Sequence, residues 1–152
     1  MSFDPSCIFC KIVRHESASE IIYESPRVLG ILDVRPIHFG HALVIPKNHC
    51  RDFLALQHDD LHDILDGSQR IARALVSSLG LEGFNIFSNN GHSAGQSVFH
   101  FHMHVVPRYS DDNIKFVLQL KHYTGGEMGM MADRIRRALT DGPSTAVNTT
   151  NL

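Results

Sequence analysis

Short apolar runs mark where regular structure begins. EIIYES at 20–25 and VLGILD at 28–33 are separated by Pro26 and Arg27, and their length and β-branched content predict two strands of a hairpin. RPIHFGH at 35–41 supplies Pro36 and Gly40 as turn residues. HALVIPK at 41–47 predicts a third strand ending near Pro46. From Asp59 the period changes. Leu61, Ile64, Leu65, Ile71, Ala72, Leu75, Val76 and Leu79 recur at helical spacing, with Gly80 as the stop. This predicts a long helix lying over one face of the sheet. GFNIFSN at 83–89 returns to strand, NGHSAGQS at 90–97 reads as a Gly- and Ser-rich loop, and FHFHMHVVP at 99–107 predicts a fifth strand. KFVLQL at 115–120 suits a strand or a helical turn, and Met128, Met131, Ile135, Ala138 and Leu139 predict a short C-terminal amphipathic helix. Three strands, a helix and two more strands predict an α+β domain with a five-stranded, mostly antiparallel sheet. Residues 1–140 form that single domain. DGPSTAVNTTNL at 141–152 has little to bury and predicts a disordered tail.

Composition narrows the function classes. The chain has 152 residues, 43% hydrophobic and 20% charged, with a formal net charge of -2. That balance supplies no basic field for nucleic acid or an anionic membrane surface. No run of 18 apolar residues and no signal-like start is present, so a soluble cytoplasmic protein is expected. Cys7, Cys10 and Cys50 are an odd number, which argues against a paired disulfide framework. CIFC has redox or metal-ligand spacing. It lies close to the N-terminus with no strand before it, which favours a metal knuckle over a redox motif.

The chain's 11 histidines are clustered. In FHFHMH, strand geometry puts His100, His102 and His104 on one face and Phe99, Phe101, Met103 and Val105 on the other. The second face suits a helix-covered core. Three imidazoles in a row fit three uses: a solvent strip, a metal site, or covalent and acid–base chemistry. The preceding loop adds Gly91 and Gly95, whose backbone can turn N–H groups inward, and the donors Gln96 and Ser97. A loop of that kind can cradle an anion or a phosphate.

GQSVFHFHMHVV at 95–106 resembles the signature of the histidine triad (HIT) family, His-φ-His-φ-His-φ-φ with φ apolar. ILDVRPIHFGHALVIPKNH at 31–49 is similar to the family's upstream half, so the resemblance spans roughly residues 7–108. It implies a HIT-like fold, a homodimer and a nucleotide hydrolase or transferase. The middle histidine, His102, would attack the α-phosphorus of a nucleoside phosphoramidate or dinucleoside polyphosphate. A nucleotidyl–histidine would form, and water would release the nucleoside monophosphate. The resemblance gives His104 a phosphate oxygen, and Ser97, Gln96, Gly95 and Asn89 the placing of phosphate and leaving group. Asp33 would bind the ribose hydroxyls, Phe9, Ile12, Ile31 and Leu32 would sandwich a purine base, and His41 would orient the site. One branch of the family carries structural zinc, which implies a closed Cys7, Cys10, His49 and His100 set here. The other readings are a zinc-stabilised nucleotide-binding or protein-interaction module with little turnover, and a metallohydrolase using all three triad histidines.

Overall fold

A computed structural model describes residues 2–115 and 117–141. Two compact units are present, residues 1–114 and 115–152. In the first, helix α1 (Ile8–Val13) precedes strands β1 (Ile21–Glu24), β2 (Val28–Leu32) and β3 (Ala42–Pro46). Helix α2 (His58–Leu79) and strands β4 (Gly83–Phe87) and β5 (Met103–Arg108) follow. The strands form one antiparallel sheet in the order β1-β2-β3-β5-β4, which is the α+β, HIT-like arrangement expected. In the second unit, helix α3 spans Glu127–Thr140.

The sheet is buried on both faces at its centre, so β3 reads as a continuous apolar run, ALVIP. Ala42 and Val44 join a core with Ile64, Ile71, Ala72 and Leu75 of α2. Leu43 and Ile45 point the other way and pack with Phe9, Cys10 and Ile12 of α1. Period-two alternation therefore sorts one strand between two different covers. Helix α2 carries Asp59 and Asp60 in its first turn, where negative charge suits the helix dipole, and ends in left-handed Gly80.

The structure differs from the sequence expectation in three places. The histidine strand is shorter, since ladder pairing begins only at Met103. Residues 115 and 117–120 form neither strand nor helical turn. Helix α1 has no counterpart in the apolar pattern, because six residues are too few to show a period. The tail expected at 141–152 lies, apart from Asp141, outside the described residues. Among the described residues no helix is long and apolar enough to cross a membrane.

Gly40, in the turn before β3, has φ +87. A Cβ there would sit 3.0 Å from Leu79 Cδ1 and 3.3 Å from Leu75 Cδ2 and Pro107 Cγ. Gly40→Ala would add left-handed strain and crowd the end of α2. It should cost about 1–3 kcal/mol, read as a lower denaturant midpoint at unchanged m-value.

Candidate active site and metal cluster

The histidine row keeps its two faces although His100 and His102 precede the ladder. The Phe101 N–H donates to the Cys50 carbonyl at 2.7 Å, which holds the extended backbone without a strand partner. Phe101 is 1% exposed in the core under α2, and His100, His102 and His104 are buried on the opposite side. Burial lowers the pKa of all three, to about 4 for His100 and His104, so the rings are neutral near pH 7.

Each neutral ring has one donor and one acceptor nitrogen, and its neighbours decide which is which. His102 Nδ1 lies 2.8 Å from the His100 carbonyl oxygen. A carbonyl only accepts, so Nδ1 carries the proton and Nε2 keeps a bare lone pair. His104 is set by a relay. The Ile37 N–H donates to His41 Nδ1 at 3.2 Å, which places the proton of neutral His41 on Nε2. That proton is donated to His104 Nδ1 at 2.9 Å. His104 is left with Nε2–H, a buried atom with no partner among the described residues. Asp33 Oδ2 stands 3.4 Å from His41 Nδ1. This approach is no ion pair, since burial outweighs Asp33 and keeps His41 neutral. Asp33, His41 and His104 also lie close enough to share a cation, but the relay already occupies the Nδ1 atoms of both rings and the Nε2 of His41.

A cleft of about 490 Å³ opens over His102 and His104. Phe9 and Ile12 of α1 and Ile31 and Leu32 of β2 supply apolar lining, and Asp33 and Ser97 supply polar groups. Phe9, Ile12, Ile31, Leu32, Asp33, Ser97, His102 and His104 thus line one cleft. Gln96, Gly95, Asn89 and His41 do not line it. Gln96 accepts from the Gly91 N–H at 2.8 Å and donates to the carbonyls of Arg51 (2.7 Å) and Val98 (3.1 Å), so its amide braces the loop. Gly95, at φ +84, closes the turn at His92–Ala94, with Asn89 packed beside it. Arg108 is engaged by Asp112, Asn85 and the Ile114 carbonyl. Sequence reasoning missed Phe87, which stacks on His104 at 4.7 Å and 18°. Its pairing with His104 across β4 and β5 is set by register, which no local motif encodes. A larger opening of about 620 Å³ is lined wholly by residues of the C-terminal unit, among them His122, Tyr123 and Met131.

On the other flank of the row, Cys7, Cys10, His49 and His100 bring one ligand atom each within 4.8 Å of the others. Cys7 Sγ and Cys10 Sγ lie 3.4 and 3.6 Å from His100 Nδ1, and Cys10 Sγ lies 3.2 Å from His49 Nδ1. A tetrahedral zinc with bonds of about 2.3 Å to sulfur and 2.0 Å to nitrogen separates S and N by about 3.5 Å. His100 Nε2 donates to the Pro46 carbonyl at 2.8 Å, so Nδ1 is bare and faces the sulfurs. The donor set and its spacing fit zinc. Cys50 is a buried free thiol pushed up to about 12 by burial, and it lies outside the cluster.

Comparison with known proteins agrees with this geometry. Residues 14–111 match the HIT domain family. An uncharacterised HIT-like protein of Methanocaldococcus jannaschii is 42% identical over 112 residues, covering 72% of this chain and 86% of that one. An adenylylsulfatase of Arabidopsis thaliana is 34% identical over 140 residues, covering 90% of this chain and 71% of that one. The crystal structure of a zinc-bound histidine triad family protein from Mycobacterium smegmatis has a TM-score of 0.70 at 39% identity, covering 90% and 96%.

His104 predicts the direction of acid sensitivity. Its pKa stands at about 4 in the folded protein against 6.5 for an ordinary imidazole. Between those values the unfolded chain binds a proton that the native ring refuses. Stability should therefore fall as pH drops from 6.5 to 4 and hold steady above that window. His41 and His102 shift the same way and add to the slope. Denaturant midpoints across this range should decline with acid, less steeply in His104→Gln. An equal slope in the variant would place the effect elsewhere.

Proposed function

Because this chain belongs to the HIT family, we propose that it cleaves nucleotide conjugates at the α-phosphorus through a nucleotidyl–histidine on His102. One observation carries this reading: the His100 carbonyl fixes His102 in the tautomer that leaves Nε2 free. Attack by Nε2 forms a P–N bond, and the bond from phosphorus to the leaving group breaks with its electron pair. The proton on Nδ1 stays against the His100 carbonyl, which stabilises the imidazolium then formed. His104 Nε2–H donates to a non-bridging oxygen as negative charge gathers there. In the second step water attacks phosphorus, the P–N bond breaks, and the nucleoside monophosphate departs. Ser97 contacts the phosphate, Asp33 takes the ribose hydroxyls, and the purine lies between the α1 and β2 walls. Gln96, Gly95 and Asn89 act by shaping the loop, and His41 by orienting His104.

The candidate substrates are adenosine phosphoramidates, diadenosine polyphosphates and, because one relative is an adenylylsulfatase, adenylyl sulfate. A metallohydrolase built on all three triad histidines is disfavoured, since the bare nitrogen of His100 faces the cysteines. Zinc, held by Cys7, Cys10, His49 and His100, would pin the N-terminal segment to the sheet and leave catalysis to His102 and His104. A homodimer would cover the edge strand β4, where Phe84 and Ile86 are 42% and 44% exposed beside the uncovered Leu65 and Val76 of α2. Free cysteines fit a reducing compartment such as the cytoplasm.

Release of AMP from each substrate, compared between wild type and His102→Ala, tests the mechanism. The variant should lose about 10³-fold or more, and acid-quenched wild type should carry the nucleotidyl label. Nucleotide binding without turnover in either protein would leave a binding module instead. For the metal, elemental analysis should find one zinc per chain. Cys10→Ser should lose it and melt roughly 5–10 °C lower; a metal-free wild type would refute the zinc assignment.

A further inference from the structure

Helix α1 serves two sites at once. It is six residues long with no side-chain N-cap, too short to hold itself. Its restraints come from outside. Cys7 and Cys10 reach His49 and His100, and Phe9 and Ile12 pack on Leu29, Ile31, Leu43 and Ile45. In CIFC, the two sulfur ligands bracket Ile8 and Phe9, and both of these line the nucleotide cleft. The Phe9 ring meets His100 edge-on at 5.9 Å and His102 at 5.2 Å. One side chain therefore touches an imidazole of the metal cluster, the proposed nucleophile and the cleft.

We propose that the metal cluster and the nucleotide cleft are coupled through Phe9, so that zinc and a purine nucleotide each strengthen the binding of the other. The coupling rests on the nucleotide and zinc assignments above. Without metal, α1 keeps its apolar contacts and only weak thiol–imidazole hydrogen bonds in place of metal bonds, and its local opening removes one wall of the cleft. A nucleotide must then reorder that wall as it binds, which lowers its apparent affinity. Linkage makes the effect reciprocal, by a single factor read from either side. Coupling factors of this kind are typically about 5–150-fold, and roughly tenfold is expected for one short helix.

The test uses the full chain, with AMP and zinc as probes. Zinc affinity is measured by competition with a chromogenic chelator, with and without saturating AMP. AMP affinity is measured by equilibrium dialysis on zinc-loaded and chelated protein. Wild type should bind zinc about tenfold more tightly with AMP present, and AMP more tightly with zinc by the same factor. Phe9→Ala keeps all four ligands, so it should still bind zinc while its coupling factor falls toward one. Should the chelated protein unfold, the wild-type factor includes folding of the whole chain, and the difference between wild type and Phe9→Ala is the reading that decides. Wild type that binds both probes with neither moving the other overturns the coupling. A Phe9→Ala protein with the full factor overturns the role of Phe9. Failure of AMP to bind the zinc-loaded protein defeats the nucleotide assignment itself, and failure of zinc to bind defeats the metal assignment; either takes the coupling with it.

Discussion

Three imidazoles buried side by side must all be uncharged, and each must hand one ring nitrogen to a fixed partner. Burying an imidazolium with no counter-ion is costly, and burial accordingly lowers the pKa of all three. The partners differ along the row: the Pro46 carbonyl for His100, the His100 carbonyl for His102, and His41 for His104. Those three bonds leave three different free atoms. His100 offers a bare Nδ1 to the cysteines, His102 a bare Nε2 to the cleft, and His104 an Nε2–H. Identical side chains at alternate positions thereby present three different atoms: a bare nitrogen toward the cysteines, a bare nitrogen toward the cleft, and an N–H donor.

The sheet makes this arrangement possible. With the order β1-β2-β3-β5-β4, the histidine strand sits between β3 and β4, flanked on both sides. One face of the sheet is sealed by the apolar stripe of α2, into which Phe101 and Val105 point. The other face is only partly covered, by α1 and its small apolar cluster. Alternation puts every imidazole of the row on that second side, dry enough to lower their pKa values and open enough for a cleft. The Phe–His alternation of the sequence thus separates stability from chemistry across the thickness of one strand.

Sequence reading recovers what is local or periodic. The hairpin of β1 and β2, the span of α2 and its Gly80 stop, and the two faces of FHFHMH follow from spacing alone. The start of β5 differs from the spacing because alternation reports burial, while a strand also needs a hydrogen-bonding neighbour strand, and the Phe101 N–H donates instead to the Cys50 carbonyl. Helix α1 escaped because six residues cannot display a 3.6 period. Gln96 has the chemistry of a phosphate donor, yet a buried amide must satisfy its own bonds first, and backbone groups of Gly91, Arg51 and Val98 supply them. The link from His41 to His104 spans 63 positions and depends on the fold bringing β3 against β5. The Cys7, Cys10, His49 and His100 set was readable through family resemblance, because its last two members are as remote from the CxxC as that relay is from local sequence.

His100 joins the two halves of the molecule's chemistry. Its ring faces the cysteines while its backbone carbonyl orients His102. Removing the ring empties one corner of the cluster but leaves the carbonyl in place, so the tautomer of His102 does not depend on the His100 side chain. It depends on the backbone path from Phe99 to Phe101, which is pinned by the bond from the Phe101 N–H to the Cys50 carbonyl and by Phe101 in the core. The apolar residues between the histidines are therefore as much a part of the site as the histidines. A phenylalanine buried under α2 fixes the backbone that presents an imidazole nitrogen to the opposite face.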